Sequence, residues 1–349
     1  MKRITLSALL MTLFLLLSCG SGSTKAEDPK TLFLTSIANL GKGFLDVFTS
    51  LSDMITGAFG IKAETKKSDI GQYFTDIANT MNTVKAKLND VVAKNGNYPK
   101  VKSVVDTFIT ETLDKIAEGA KTAAKGATGD AAIGGATAGQ IAVPAKFESV
   151  NALVKGIKTM VGVVLKNDEG SAEATKTAEA EKKSIGKLLG KKDDATEAVA
   201  AAATASIGAI TGADILKAIA KSVEAANNDV GIETAKNAAE IAAAKKEDTK
   251  ELNAAESQKD AVIAAGIALR AMAKDGKFAA NDGEKSAHAV NGAAASAVGK
   301  TLSTLIIAIR NTVDSGLKTI NAVLATVTQE DKSLDSTTPA DATASGQQQ

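Results

Sequence analysis

A chain of 349 residues with 41 Lys plus Arg against 40 Asp plus Glu has no global field to draw in nucleic acid or an anionic membrane surface. Apolar residues make up 44%, enough for a substantial core, but aromatics are only 3% and tryptophan is absent, so that core falls to Ala, Val, Ile and Leu. One cysteine and one histidine exclude an intramolecular disulfide and supply no cluster of soft or imidazole metal ligands.

Lys2-Arg3 precedes an apolar run from Ile4 to Leu17, and the run ends in Leu16-Leu17-Ser18-Cys19. A charged start and a short apolar stretch make a secretory signal, too short for a spanning helix. The cysteine at its end reads as a bacterial lipoprotein signal over 1–18, cleaved between Ser18 and Cys19, with Cys19 taking an N-acyl (palmitoyl) chain and an S-diacylglycerol. The alternative is an ordinary signal with an incidental cysteine; a cysteine used nowhere else in the chain argues against it. Small polar residues follow, so 19–30 is expected to be a flexible tether.

Five helical stripes follow in a folded body over 31–332. Phe33, Ile37, Leu40, Phe44, Phe48, Leu51 and Ile55 make the first, and Ile70, Phe74, Ile77, Met81, Val84, Leu88 and Val91 the second. Ser68 and Asp69 offer caps at the start of the second; Asn95-Gly96 offers a left-handed stop and Pro99 cannot continue it. Val101, Val105, Phe108, Leu113 and Ile116 form a third stripe, and Phe147, Val150, Val154, Ile157, Val161 and Val164 a fourth. The longest runs through Leu302, Leu305, Ile306, Ile309, Val313, Leu317, Ile320, Leu324 and Val327. Strand-type alternation is hard to find, and the expected fold is an all-α, elongated helical bundle.

Between these stripes the pattern weakens. Ala120–Gly139 is a run of Ala, Gly and Thr; Asn167–Glu181 alternates Lys and Glu; Lys191–Asp194 is a charge cluster, and Ala243–Glu251 a second one expected on an alanine-rich helix. None of these segments is expected to hold a core. One buried helix interrupts them: Ser257 to Asp260 has capping-box-like spacing, Val262, Ile263, Gly266, Ile267, Leu269, Arg270 and Met272 supply an apolar face, and Lys274-Asp275-Gly276 closes it. The polar tail 333–349 is expected to be disordered.

No enzyme constellation emerges, and no catalytic, cofactor or metal residue is nominated. His288 lacks a partner to orient it, and Asp193-Asp194 and Glu247-Asp248 are adjacent acids that point apart on a helix. Gly299-Lys300-Thr301 resembles the end of a phosphate loop, yet Ala294 stands where the first glycine belongs, so a helix start is the better reading. Gly186 to Lys192 fails the same pattern. Glycines 126, 129, 134, 135 and 139 lack the strand and acid of a dinucleotide site and mark a loop.

The stretch Ala264 to Ala279 resembles the sixth invariant region of the variable surface lipoproteins of Borrelia. Ser18-Cys19-Gly20, Phe44-Leu45-Asp46-Val47-Phe48, Ile70-Gly71-Gln72-Tyr73-Phe74 and the helix from Thr301 to Val327 extend the resemblance to the variable large proteins of the relapsing-fever group. The resemblance implies an outer-membrane, lipid-anchored surface antigen, one variant expressed at a time from a silent repertoire to escape host antibody. Terminal and invariant helices would then form a membrane-proximal scaffold, with replaceable segments near 120–139, 167–205 and 227–256 facing outward and an invariant helix over 256–279. Outer-membrane lipid and antibody are the implied partners; a homodimer is left open, and no cofactor or nucleic acid is implied. The competing reading is an adhesin in which Lys182-Lys183, Lys187 and Lys191-Lys192 bind host glycan weakly or grip a blood or matrix protein.

Overall fold

The computed structural model describes residues 29–54, 60–95 and 98–331, with side chains of the first helix described to Val47. The signal 1–18, Cys19 with its tether to residue 28, the stripe residues Phe48, Leu51 and Ile55, and the tail 333–349 lie outside what is described.

Over the described residues the stripes fall on helices and their faces turn inward, except that the third is shared between two helices and Val327 of the fifth lies past its helix end. The first helix, α1 (Pro29–Met54), buries Leu40, Phe44 and Val47; α2 (Lys67–Lys94) buries Ile70, Phe74, Ile77, Met81, Val84 and Leu88. The start of α2 is held by Asp69, whose carboxylate accepts the Lys66 N–H at 3.0 Å, while Ser68 caps nothing; Asn95 ends it at φ −112°, not in the left-handed region. Pro99 opens α3 (Pro99–Phe108), where its missing N–H leaves no helix bond unmade.

From Phe108 the third stripe steps five residues to Leu113. The structure spends that step on one π-helical turn, Ile109–Leu113, closed by the Asp114 N–H on the Ile109 carbonyl. Leu113 and Ile116 therefore stay on the inner face as the chain continues into α4 (Asp114–Ala124). Helix α5 (Phe147–Val164) crosses α4 at backbone contact: a Cβ on Gly156 would lie 2.4 Å from the Ala123 nitrogen and the Gly119 oxygen.

The second half of the chain is built from shorter pieces: α6 (Glu179–Ser184), α7 (Glu197–Ala209), α8 (Gly212–Lys221), α9 (Ala238–Ala243) and α10 (Asp260–Met272). Helix α10 packs on α7, α8, α9 and α11, and all 13 of its residues are buried, which no single stripe could achieve. Its start is Asp260 rather than Ser257, and past its end Asp275 takes φ 67° while Gly276 lies against the Arg270 carbonyl, where a Cβ would be 2.2 Å away.

The longest helix, α11 (Glu284–Leu324), has 41 residues, about 60 Å at 1.5 Å per residue. It begins well before the long stripe, so Gly299-Lys300-Thr301 lies mid-helix and is not a helix start. Its length and composition would suffice to cross a membrane, but 56% of its most apolar window is buried inside the bundle, as befits a core helix. Toward its C-terminus it meets α3 and α1, with Phe108 over Gly316 and Leu324 beside Gly41; toward its N-terminus it meets α7, α8 and α10. Among the described residues no strand forms, only two isolated bridges, Lys66 to Ala132 and Val143 to Lys277.

Two of the four low-stripe segments do hold core, contrary to expectation: Ala120, Ala123, Ala127, Ile133 and Ala136 are buried in the first, and Ala243 and Ala244 in the last, continuing the buried Ala238, Ala239, Ile241 and Ala242 just before it, whereas 167–181 and 191–194 bury no residue. Hydrophobic stripes detect large side chains; alanine fills the space where backbones approach closely. The run 244–251 is not helical, because α9 stops at Ala243.

Candidate functional site

Among the described residues no catalytic constellation assembles. His288 is exposed on α11, and among the described residues no three His, Cys, Asp or Glu side chains gather into a metal-binding group. Lys300 extends from mid-α11 to the C-terminus of α7, donating to the carbonyls of Ile207 at 2.9 Å and of Ile210, while Thr301 is buried and donates to Ala297 O. The would-be phosphate loop is thus a helix cap made by a cation at a negative helix end. The glycines of 126–139 do lie in an irregular connection.

The lysine cluster expected to serve an adhesin is neutralised within its own neighbourhood. Lys182 is buried and donates to Thr175 Oγ1 at 2.6 Å. Lys183 pairs with Glu179 at 2.8 Å, Lys187 with Glu251 at 2.9 Å, Lys191 with Asp194 at 3.7 Å and Lys192 with Asp282 at 2.7 Å. In an open groove of about 480 Å³ between α5 and α8, Lys221 pairs with Glu173 and Lys217 is spent on the Lys166 carbonyl at 2.7 Å, which among the described residues leaves Lys158 as a single unpaired cation on its lining. Exposed pairs of this kind solubilise a surface and contribute little else.

The ends of the described chain lie together. Phe33 of α1 packs edge-on against Tyr98 with ring centroids 6.1 Å apart, the Ser36 hydroxyl donates to the Asn95 carbonyl, and Lys100 pairs with Asp331 at 2.6 Å. The segments 167–205 and 227–256 gather instead around α8, α10 and the N-terminal half of α11, where Ser286 reaches Ala195 O at 2.6 Å and Arg270 reaches Ala242 O at 3.0 Å.

Sequence reading missed the polar groups inside this region. Arg270 is wholly buried: its Nε donates to Lys277 O at 3.0 Å, its Nη1 to Ala242 O and Ala244 O, and burial pulls its pKa down to about 9. Lys67 is also buried and donates to Arg270 O at 3.1 Å and to Ala271 O; burial, then the nearby Arg270 charge, lowers it to about 7. Burial opposes the ionisation of Asp260, but hydrogen bonds from the Ser206 and Thr177 hydroxyls and the Lys176 and Thr177 N–H groups outweigh it, holding that carboxyl below its usual range. The available signal was a lone arginine in an otherwise apolar helix, a pattern that demands internal acceptors.

A profile of the Borrelia lipoprotein family matches residues 44–324. Variable large protein 4 of Borrelia hermsii is 64% identical over 98% of this chain and 99% of its own length; variable large protein 17 of the same organism is 62% identical over 99% of both. Among solved structures, the Lyme disease variable surface antigen VlsE of Borrelia burgdorferi superposes with a TM-score of 0.73 at 37% identity, over 83% of this chain and 97% of that one. A match running from the buried Phe44 to the end of α11, with relatives this similar over nearly their whole length, means that the chain belongs to the Borrelia lipoprotein family and works as a variable surface antigen.

Proposed function

We propose that the chain is held on the outer membrane by lipids on Cys19, exposed after cleavage between Ser18 and Cys19, and there presents a replaceable surface to host antibody. The end carrying α1 and the close of α11 faces the membrane; segments near 120–139, 167–205 and 227–256 face outward, and one variant is displayed at a time. The observation that carries this reading is the separation along α11. Phe33–Tyr98 and Lys100–Asp331 tie the tether-bearing helix to one end, while Ala195 is held at Ser286 near the other.

A single acyl chain binds membranes marginally, at about 0.8 kcal/mol per buried methylene, so a cysteine with several chains is the stable form of such an anchor. Its relatives are surface antigens, and no residue here is given a catalytic role. An adhesin is the weaker reading, since the lysines it would use are paired with neighbouring carboxylates or turned inward.

Clonal passage through antibody-competent and antibody-deficient hosts, followed by sequencing of the expressed gene, tests the function. Change confined to the competent host supports antibody-driven display. A sequence that persists unchanged in both points to a surface kept for a partner. Labelled palmitate should enter the parent but not Cys19→Ala, and equal incorporation would sink the anchor assignment.

A further inference from the structure

Among the described residues, five buried or half-buried side chains outside the three outward segments grip those segments by their backbone from 26 to 155 residues away in sequence. Asn291 of α11 pairs with both sides of one residue: its Oδ1 accepts the Ala136 N–H at 2.8 Å and its Nδ2 donates to Ala136 O at 2.9 Å. Asp260 accepts the Lys176 and Thr177 N–H groups, the latter at 2.9 Å, and Asp214 accepts the Ser171 N–H at 2.7 Å. Ser286 donates to Ala195 O at 2.6 Å, and Arg270 donates to Ala242 O at 3.0 Å and to Ala244 O at 3.3 Å.

Contacts made by the segments' exposed charged side chains have a different character. Those of Lys192 with Asp282, Lys250 with Glu233 and Lys187 with Glu251 are ion pairs with side chains 28–71% exposed. Thr177, which adds its hydroxyl to Asp260 at 2.6 Å, and Asn228, which donates to Ala145 O at 2.7 Å, do grip through their own side chains, and Ile133, Ile185, Leu188, Ile232 and Leu252 are buried in the core.

We propose that Asn291, Asp260, Asp214, Ser286 and Arg270 form a sequence-indifferent socket, positioning residues that hold the outward segments whatever exposed side chains those segments carry. The inference rests on the assignment of 120–139, 167–205 and 227–256 as the replaceable surface. Its physical basis is that every residue offers a carbonyl and every residue but proline an N–H, so a backbone grip survives replacement of the side chains. A side-chain grip would have to be rebuilt with each variant. Beyond apolar residues at core positions such as 133, 185, 188, 232 and 252, the socket asks little of an incoming segment: small residues at 136, 195, 242 and 244, which are buried here, and no proline at 136, 171, 176 or 177.

Amide hydrogen exchange on the full chain tests this. One variant combines the exposed changes Glu173→Gln, Lys192→Gln, Lys246→Gln and Asp248→Asn; exchange across 167–205 and 227–256 should stay within about twofold of the parent. Asn291→Ala and, separately, Ser286→Ala should speed exchange about tenfold around 132–139 and 192–197, as expected for losing one buried hydrogen bond, with α5 unchanged as the internal control. The socket is overturned if the fourfold variant loosens the segments as much as Asn291→Ala does, or if neither anchor variant alters exchange. Binding of antibodies raised against the parent separates the two readings. If the fourfold variant keeps its protection and its antibody binding, the outward assignment fails while the socket stands.

Discussion

The two halves of α11 are packed by different means. From Leu302 to Leu324 its buried face is mostly Leu, Ile and Val, set against α1 and against Phe108 of α3; from Ala287 to Val298 it is alanine and valine, set against the alanine-rich α7 and α10. Large side chains hold by area removed from water. Small ones bring backbones together, and the polar groups trapped there must then be satisfied by Lys300, Arg270, Asp260 and Ser286. The end beside the tether is therefore specified by bulk, and the other end by close approach and buried hydrogen bonds.

That contrast is broken most severely by a charge in α10. Ile267 is 4% exposed, and a carboxylate there would be taken out of water, so Ile267→Asp should lose about 5 kcal/mol in chemical denaturation. A loss below about 1 kcal/mol would mean that α10 is not packed as described. At the bulk-packed end, Phe74→Ala should lose about 4 kcal/mol from its fully buried site. Gly156→Ala, although it adds a single methyl, should lose about 2 kcal/mol, because that methyl meets backbone of α4 rather than a side chain able to move aside.

A smaller effect, readable in its pH dependence, comes from Lys67. The unfolded chain keeps this proton up to about pH 10.5, whereas the folded chain releases it above about 7. Stability should therefore rise from pH 7 towards 10.5 and be reduced by its full amount below 7. Melting curves at neutral pH and at about pH 9 should show this rise in the parent and not in Lys67→Met. Parallel pH profiles for the two proteins would refute it. The smallest effect is expected at Lys192, an exposed ion pair: Lys192→Gln should change stability by no more than about 0.5 kcal/mol and leave heparin retention as it was.

Much of this was legible in the residues. The phenylalanine and leucine stripes marked α1, α2, α5 and the C-terminal half of α11, and even the π turn left a trace, the five-residue step from Phe108 to Leu113. The apolar run ending at Cys19 and the likeness around 264–279 point to the family from the residues alone. Alanine-rich α9 was not legible as core, since alanine has no strong preference between surface and interior and marks no face when it occurs on every side.

The sequence by itself determined the helical class, the apolar faces with large side chains and the membership that carries function, because each depends on local spacing or on a local run of residues. Tertiary structure alone decided which small residues lie inside, that Lys300 caps α7, and that Arg270, Lys67 and Asp260 sit buried with backbone partners up to 204 residues away. Hydrogen bonds between distant segments leave no periodic mark in a chain, so only folding reveals the partner that makes a buried charge tolerable.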